Sequence, residues 1–410
     1  MFLEKILEAE KELKETVFKR LDEIEFKNQK KVLDAFIENR VAEHHLKGTT
    51  GYGHNDIGRE ALEGVYSSIF HTESSLVRPH FASGTHAIAA GLFGCLSPND
   101  ELLAVAGKPY DTMEEVIGLR GENQGSLMDW GVVYKQLDLN ENKEIDIDNI
   151  HTLVTSKTKV AFIQRSRGYD WRPSVTMEKL ESTCKKLREL KEDIIIVTDN
   201  CYGEFTDDRE PTDVGADLMI GSLIKNPGGG IVPCGAYITG KAKLVERAAC
   251  RLYAPGIGRE GGATLDFLRL AYQGLFIAPN VVNQAVKGSV LAAKVFSDLG
   301  FEISPSIDSK RSDIIQSIKF GNQKMLEAFC KAIQEMSPVD SYVSPIPDVV
   351  PGYESNVIMA AGNFIEGSTI ELSVDAPIRE PFIGYLQGGL TYNHCKLALA
   401  HALDKISKFL

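Results

Sequence analysis

Ile194-Ile195-Ile196-Val197-Thr198-Asp199-Asn200-Cys201-Tyr202-Gly203-Glu204 and Asp217-Leu218-Met219-Ile220-Gly221-Ser222-Leu223-Ile224-Lys225-Asn226-Pro227-Gly228-Gly229-Gly230 are the stretches whose reading decides the fold. Each is a short apolar run that ends at a charged residue beside turn-forming residues. Such runs read as parallel strands buried on both faces. In an open sheet of that kind, the carboxyl ends of the strands face the crevice where ligands bind. Asp199 and Lys225 both stand at such ends. Lysine avoids the interior unless it is paired or used. When buried, its ammonium loses hydration and it becomes a nucleophile or base near neutral pH.

The flanking sequence repeats the pattern. Strands are expected at 102–106, 160–164, 194–199, 218–222 and 236–239, and a helix at 177–191 sets Leu180, Cys184, Leu187 and Leu190 on one face. This alternation implies the α/β class, with a mostly parallel sheet covered by helices on both faces. From about 286 the order becomes helix, strand, helix, two strands, helix, at 289–299, 313–320, 322–337, 357–362, 369–374 and 391–407. That order fits a smaller α+β unit. Before 46 the chain is charged and helix-prone, an amphipathic arm expected to pack on the body or on a partner subunit. The expected division is 1–55 for the helical arm and a glycine-rich loop, 56–285 for the large cofactor-binding domain, and 286–410 for the small C-terminal domain.

Composition narrows the function. The net charge of −12 over 410 residues argues against a nucleic-acid surface, which needs excess lysine and arginine. No stretch approaches the ~18–20 apolar residues of a membrane span, and the first residues lack the apolar core of a secretory signal. The seven cysteines are scattered without CxxC spacing, as reduced thiols of a cytoplasmic protein would be. His54, His80 and His86 lack metal-ligand spacing and are expected in structural roles, and no metal site is expected.

The chemistry that suits Lys225 is a Schiff base to pyridoxal 5'-phosphate (PLP), because the glycines after it let cofactor and backbone approach closely. PLP needs an acid against its pyridine nitrogen, and Asp199 supplies one. Ser83-Gly84-Thr85-His86 opens an apolar helical stretch whose exposed backbone N–H groups and dipole form a phosphate site. Ser222 adds a hydroxyl to that cup. Tyr110, after the 102–106 strand, is placed to stack on the pyridine ring, and Tyr52 in the glycine-rich loop to reach phosphate or substrate, from the neighbouring subunit in an oligomer. An amino-acid substrate has a carboxylate that suits arginine's planar fork. Arg379 is the candidate after a C-terminal strand, and Arg165, Arg167 and Arg172 form a second reservoir whose roles the sequence does not separate.

These residues resemble those of the Cys/Met-metabolism class of fold-type-I PLP enzymes, and more closely the group called aluminium resistance or methionine gamma-lyase-like proteins. The resemblance covers nearly the whole chain. It is carried by Gly51-Tyr52-Gly53-His54-Asn55-Asp56, Ser83-Gly84-Thr85-His86, Pro109-Tyr110-Asp111-Thr112, Thr198 to Phe205, and Ser222 to Gly229. It implies an aspartate-aminotransferase-like large domain and a homotetramer built as a dimer of dimers with shared active sites. It further implies a Schiff base at Lys225, a salt bridge from Asp199 to the ring nitrogen, Tyr110 on the ring, and Gly84, Thr85 and Ser222 on the phosphate. The expected reaction is carbon–sulfur cleavage of a cystathionine- or methionine-like amino acid, with Lys225 as base and Lys225 or Tyr110 as the acid for the departing sulfur.

There are two departures. Ile224 stands where these lyases carry threonine in Ser-x-Thr-Lys, and Glu371 stands where their carboxylate-binding Arg-x-Ser-x-Gly arginine belongs. An aminotransferase would use the same lysine and aspartate. A PLP-binding protein with a non-catalytic role in metal tolerance would also retain them. A nicotinamide dehydrogenase fits less well, because no Gly-x-Gly-x-x-Gly follows the first strand.

Overall fold

The computed structural model describes residues 2–122, 125–349 and 355–409. Before the large sheet come helices α1 (Phe2–Lys14), α2 (Val17–Glu38) and α3 (Ile57–Ile69). The sheet itself contains β1 (Ser74–Arg78), β2 (Glu101–Ala104), β3 (Val133–Gln136), β4 (Thr158–Gln164), β5 (Ile195–Asp199), β6 (Leu218–Ser222) and β7 (Ala236–Gly240), in the order β1-β7-β6-β5-β4-β2-β3. Only β7 is reversed in this sheet, pairing antiparallel with both β6 and β1. Helices α4 (Gly84–Cys95), α5 (Asp111–Ile117), α6 (Met177–Leu190) and α7 (Ala242–Leu252) fall between or after these strands.

The period of two in β4 and β5 explains the layering. Val160, Phe162, Ile195 and Val197 point into one apolar cluster, shared with Ile88 and Leu92 of α4 and Val245 and Ala248 of α7. Their neighbours Ala161, Ile163, Ile194 and Ile196 point into another, shared with Leu180, Cys184 and Leu187 of α6. A strand covered on both faces must be apolar at every position, which is why these runs do not alternate.

The long helix α8 (Phe267–Asp298) leads to the second sheet, made of β8 (Glu302–Ser304), β9 (Ile315–Lys319), β10 (Val357–Ala361), β11 (Ser373–Pro377) and β12 (Ile383–Gln387). Its order is β10-β11-β12-β9-β8 and every pair is antiparallel. Helix α9 (Gln323–Glu335) packs on it, and α10 (Tyr392–Ile406) packs on α1, α8 and α9. The N-terminal arm lies on the body of its own chain. Ile6, Leu13, Val17, Phe18 and Leu21 are buried in the α8–α10 core, and the Phe18 ring meets Tyr392 edge-on at 5.4 Å.

Several elements differ from the sequence expectation. α8 is one helix of 32 residues running through 285 and 286, not a helix starting at 289. Gly274, Pro279 and Gly288 look like breakers, but the first and last permit close packing: a Cβ at Gly274 would collide with the carbonyl of Gly228, and one at Gly288 with the Cys395 thiol. β1 escapes pattern reading because Ser74 and Ser75 are polar. They are buried because Ser75 Oγ shares a 2.7 Å hydrogen bond with Thr239 Oγ1 of β7. The strand expected at 369–374 begins at Ser373. Upstream of it, the Glu371 carboxylate accepts from the backbone N–H groups of Phe364 and Ile365 at 2.9 and 3.0 Å, holding a loop instead of a strand.

Candidate active site

Parallel register brings the carboxyl ends of three strands to one level. Gln164 of β4 lies opposite Asp199 of β5, and Asp199 opposite Ile220 of β6. Ser83 caps α4 just above them, its hydroxyl accepting from His86 N at 3.1 Å. The first intrahelical bond is made by Ala87 N, so the Gly84 and Thr85 N–H groups are among the free donors of the first turn. A Cβ on Gly84 would approach both Cys201 Sγ and Ser222 Cβ to 3.3 Å. Glycine is therefore what lets this helix end sit against the strand ends.

A cavity of about 420 Å³ opens there. Lys225, Asp199, Ser83, Gly84, Thr85, Tyr110, Ser222, Arg167 and Arg379, singled out from sequence, all border it. Tyr52 does not: it is 83% exposed on the loop that pairs with Gly262. β6 ends at Ser222, so Lys225 lies in the turn beyond the strand and is half-buried. Its ammonium sits 4.7 Å from the centre of the Tyr202 ring.

Burial pushes the Asp199 carboxyl above the usual carboxylate range, against the opposing pull of hydrogen bonds from Cys201 and the charge of Lys225. Its Oδ1 accepts from Cys201 N at 3.0 Å. A buried carboxylate in this condition gains from a cation placed beside it, such as a protonated ring nitrogen. Burial, then the charges of Asp199 and Cys201, hold the Tyr110 phenol well above its ordinary value. It keeps its proton at neutral pH, which makes it a donor and not a base. Its hydroxyl is 3.2 Å from Thr85 Oγ1, and its N–H donates to Gln164 Oε1 at 2.9 Å.

The arginines separate. Arg165 and Arg172 are spent on their surroundings, Arg165 on Asn200 Oδ1 and Gly203 O and Arg172 on Ala106 O and Ser166 O. Arg167 borders the cavity, yet its guanidinium reaches across to the second sheet, donating to Ser304 O at 2.9 Å and approaching Asp313 Oδ2 at 3.5 Å. Its Nη2 is buried without a hydrogen-bond partner. Arg379 is exposed at the cavity mouth and donates to Tyr169 O at 3.0 Å.

Three residues at the site were not anticipated: Tyr202, Gln164 and Asp375. Tyr202 follows a strand as Tyr110 does, and Gln164 ends one as Asp199 does, but neither was singled out from sequence. Asp375, half-buried on β11, accepts from Gln387 Nε2 at 2.8 Å and from the Tyr169 side chain; desolvation raises its carboxyl, and these hydrogen bonds and the charge of Lys225 oppose that. Among the described residues, no group of three or more His, Cys, Asp or Glu is arranged to hold a metal ion. None of their helices is long and apolar enough to cross a membrane.

With this geometry in hand, a family model described as methionine gamma-lyase matches residues 3–407. The chain belongs to that lyase family. It is 48% identical to a solved carbon–sulfur lyase involved in aluminium resistance from Clostridium novyi NT, covering 99% of this chain and 96% of that one at a TM-score of 0.95. It is 49% identical over 391 residues to the uncharacterized protein YnbB of Bacillus subtilis (strain 168), covering 95% of this chain and 93% of that protein. The PLP-dependent protein YhfS of Escherichia coli, at 18% identity, covers 95% of this chain and 97% of that one with a TM-score of 0.63, which speaks for the fold alone. The fold is that of the fold-type-I class, and the family implies PLP.

Proposed function

We propose that this chain is a PLP-dependent lyase that cleaves a carbon–sulfur bond in a sulfur-containing amino acid. The observation that carries this is one cavity bordered by Lys225, the buried Asp199 carboxyl and the N-terminus of α4. PLP, when bound, supplies an aldehyde for an amine and a ring that accepts electrons from the substrate's α-carbon.

Lys225 would hold the cofactor, and its amine would serve as the general base for the substrate's α-proton. Asp199 pairs with the ring nitrogen and keeps it protonated. The free N–H groups of Gly84 and Thr85, the Ser83 and Ser222 hydroxyls and the dipole of α4 hold the phosphate. Tyr110, protonated at neutral pH, would stack on the ring and supply a proton for the departing sulfur. Arg379 clamps the substrate carboxylate from the mouth, while Arg167 adds positive charge to the wall from behind it. Glu371 is occupied by Phe364 and Ile365, so Arg379 replaces the arginine that relatives of this class carry at that position.

Assembly belongs to the same reading. Tyr52, Ile57, Ile257 and Leu265 are exposed around a single pair of loops and are covered by a second copy of the chain in a dimer of dimers, which brings Tyr52 to a neighbouring site.

The test is formation of pyruvate or 2-oxobutyrate from cystathionine, cysteine or methionine by the purified protein with PLP. Lys225→Ala should lose the visible absorbance of the lysine-bound cofactor and at least ~10²-fold in activity. No oxo acid from any sulfur amino acid rejects the assignment.

A further inference from the structure

A second cavity of about 230 Å³ lies against the first, and Tyr169, Asp170 and Arg379 border both. The partition is fixed at two points: Tyr169 O accepts from Arg379 Nη2, and the Tyr169 side chain bonds to Asp375. Beyond it the second cavity opens to solvent, walled by Tyr169, Trp171 and Tyr385 and edged by Pro377 and the exposed Pro381. The Tyr169 and Tyr385 rings are 5.4 Å apart, and both pack in one apolar cluster with Trp171 and with Tyr202, the ring beneath Lys225. One apolar cluster thus links the ring beside Lys225 to the rings of the second cavity.

The charges at this chamber are two carboxylates, Asp170 and Glu380, and the Arg379 guanidinium. Once Arg379 holds a substrate carboxylate, the rim is left acidic. Rings of this kind attract cations through their faces, and the faces of Tyr169 and Tyr385 serve here; the Lys319 ammonium 5.3 Å from the Trp171 ring is neutralised by Glu302 at 2.7 Å and so leaves the rim's acidic balance in place. We propose that this chamber receives the distal arm of the substrate, beyond the sulfur, and selects an arm that ends in a primary ammonium. The inference rests on the carbon–sulfur lyase reading and narrows it to substrates with a cationic far end.

The sequence has two tryptophans, so Trp130→Phe leaves Trp171 as the single reporter in the PLP-loaded protein. Trp130 lies apart from both cavities, against Phe93 and Arg251. Two probes of equal shape are titrated, S-(3-aminopropyl)cysteine and S-butylcysteine, following Trp171 fluorescence and oxo acid release. The expected result is half-saturation at about tenfold lower concentration for the ammonium compound, with Asp170→Asn combined with Glu380→Gln bringing the two to parity. Equal affinities, or a preference that survives the double substitution, overturns the subsite. A fluorescence preference without oxo acid from either compound leaves the subsite standing and removes the lyase reading. Equal turnover of both with no fluorescence preference does the reverse.

Discussion

Asp199 is the residue at which the cofactor can be tested apart from turnover. Burial raises its carboxyl in the protein alone, so its contribution to stability is complete below the unfolded value and is lost as pH rises through the folded one. At neutral pH the ionised group is a cost, which Lys225 offsets only in part. Asp199→Asn should therefore raise the melting temperature of the PLP-free protein above that of wild type at pH 7, and the gap should close as pH falls toward 4. Adding PLP should reverse the order, because only the carboxylate gains from a protonated ring nitrogen. Thermal melts with and without PLP at several pH values check this; a wild type more stable than the variant in PLP-free protein at pH 7 contradicts it. Both charged members of this pair were legible in sequence because charge at the end of an apolar run is anomalous. Tyr202 and Asp375 were not. The first lies inside the turn after β5, behind the more anomalous Asp199, and the second belongs to a strand whose neighbour β12 the sequence pattern did not reveal.

The elements divide along the same physical line. β4, β5 and β6, with α6 and the apolar stretch of α4, could be read directly, because apolar runs and helical spacing are set by burial on known faces, whereas α7 was not expected. β1 could not, since hydroxyl pairs such as Ser75–Thr239 replace apolar contact there. α8 was cut short because glycines that serve close packing look like breaks. The connection between sheets also left no sequence signal beyond an arginine at a strand end. Arg167 reaches from the end of β4 to Ser304 of β8 and to Asp313 before β9, and both side chains of the ion pair are buried. Truncating such a cation strands the partner charge. Arg167→Met should cost about 3–5 kcal/mol by denaturant unfolding, and Arg167→Met with Asp313→Asn should recover part of it. A single substitution costing less than ~1 kcal/mol would mean that the pair does not join the sheets. In the covering layer, Leu187→Ala on α6 should cost about 2–5 kcal/mol through the cavity it leaves between α6 and β5, with no change in KM for the substrate.

At the scale of the molecule, the surface around Tyr52 stands out for how rigidly an apolar patch is held. Gly262 N donates to Tyr52 O and Leu265 N to Thr49 O, both at 2.9 Å, tying two loops together. Beneath them Arg59 donates to the carbonyls of Gly53 and Gly262 at 2.8 Å, and Asp56 accepts from the Thr49 and Thr264 hydroxyls. On this frame Leu265 is 62% exposed, Ile57 53% and Ile257 49%. Covering each such side chain stabilises by about 1.5–3 kcal/mol at most. In the proposed dimer of dimers, association would also have to overcome repulsion between chains carrying −12 each. That balance has a signature: salt screens the repulsion but leaves apolar burial intact. Sedimentation should therefore show the full assembly at 0.5 M salt and partial dissociation at 0.01 M. Leu265→Asp should dissociate the assembly at both salt concentrations, because it adds like charge where apolar surface is buried. If Tyr52 completes a neighbouring site, the dissociated variant also loses PLP affinity while its own α4 and Lys225 are untouched. A Leu265→Asp protein of unchanged mass would place the contact between copies on another face.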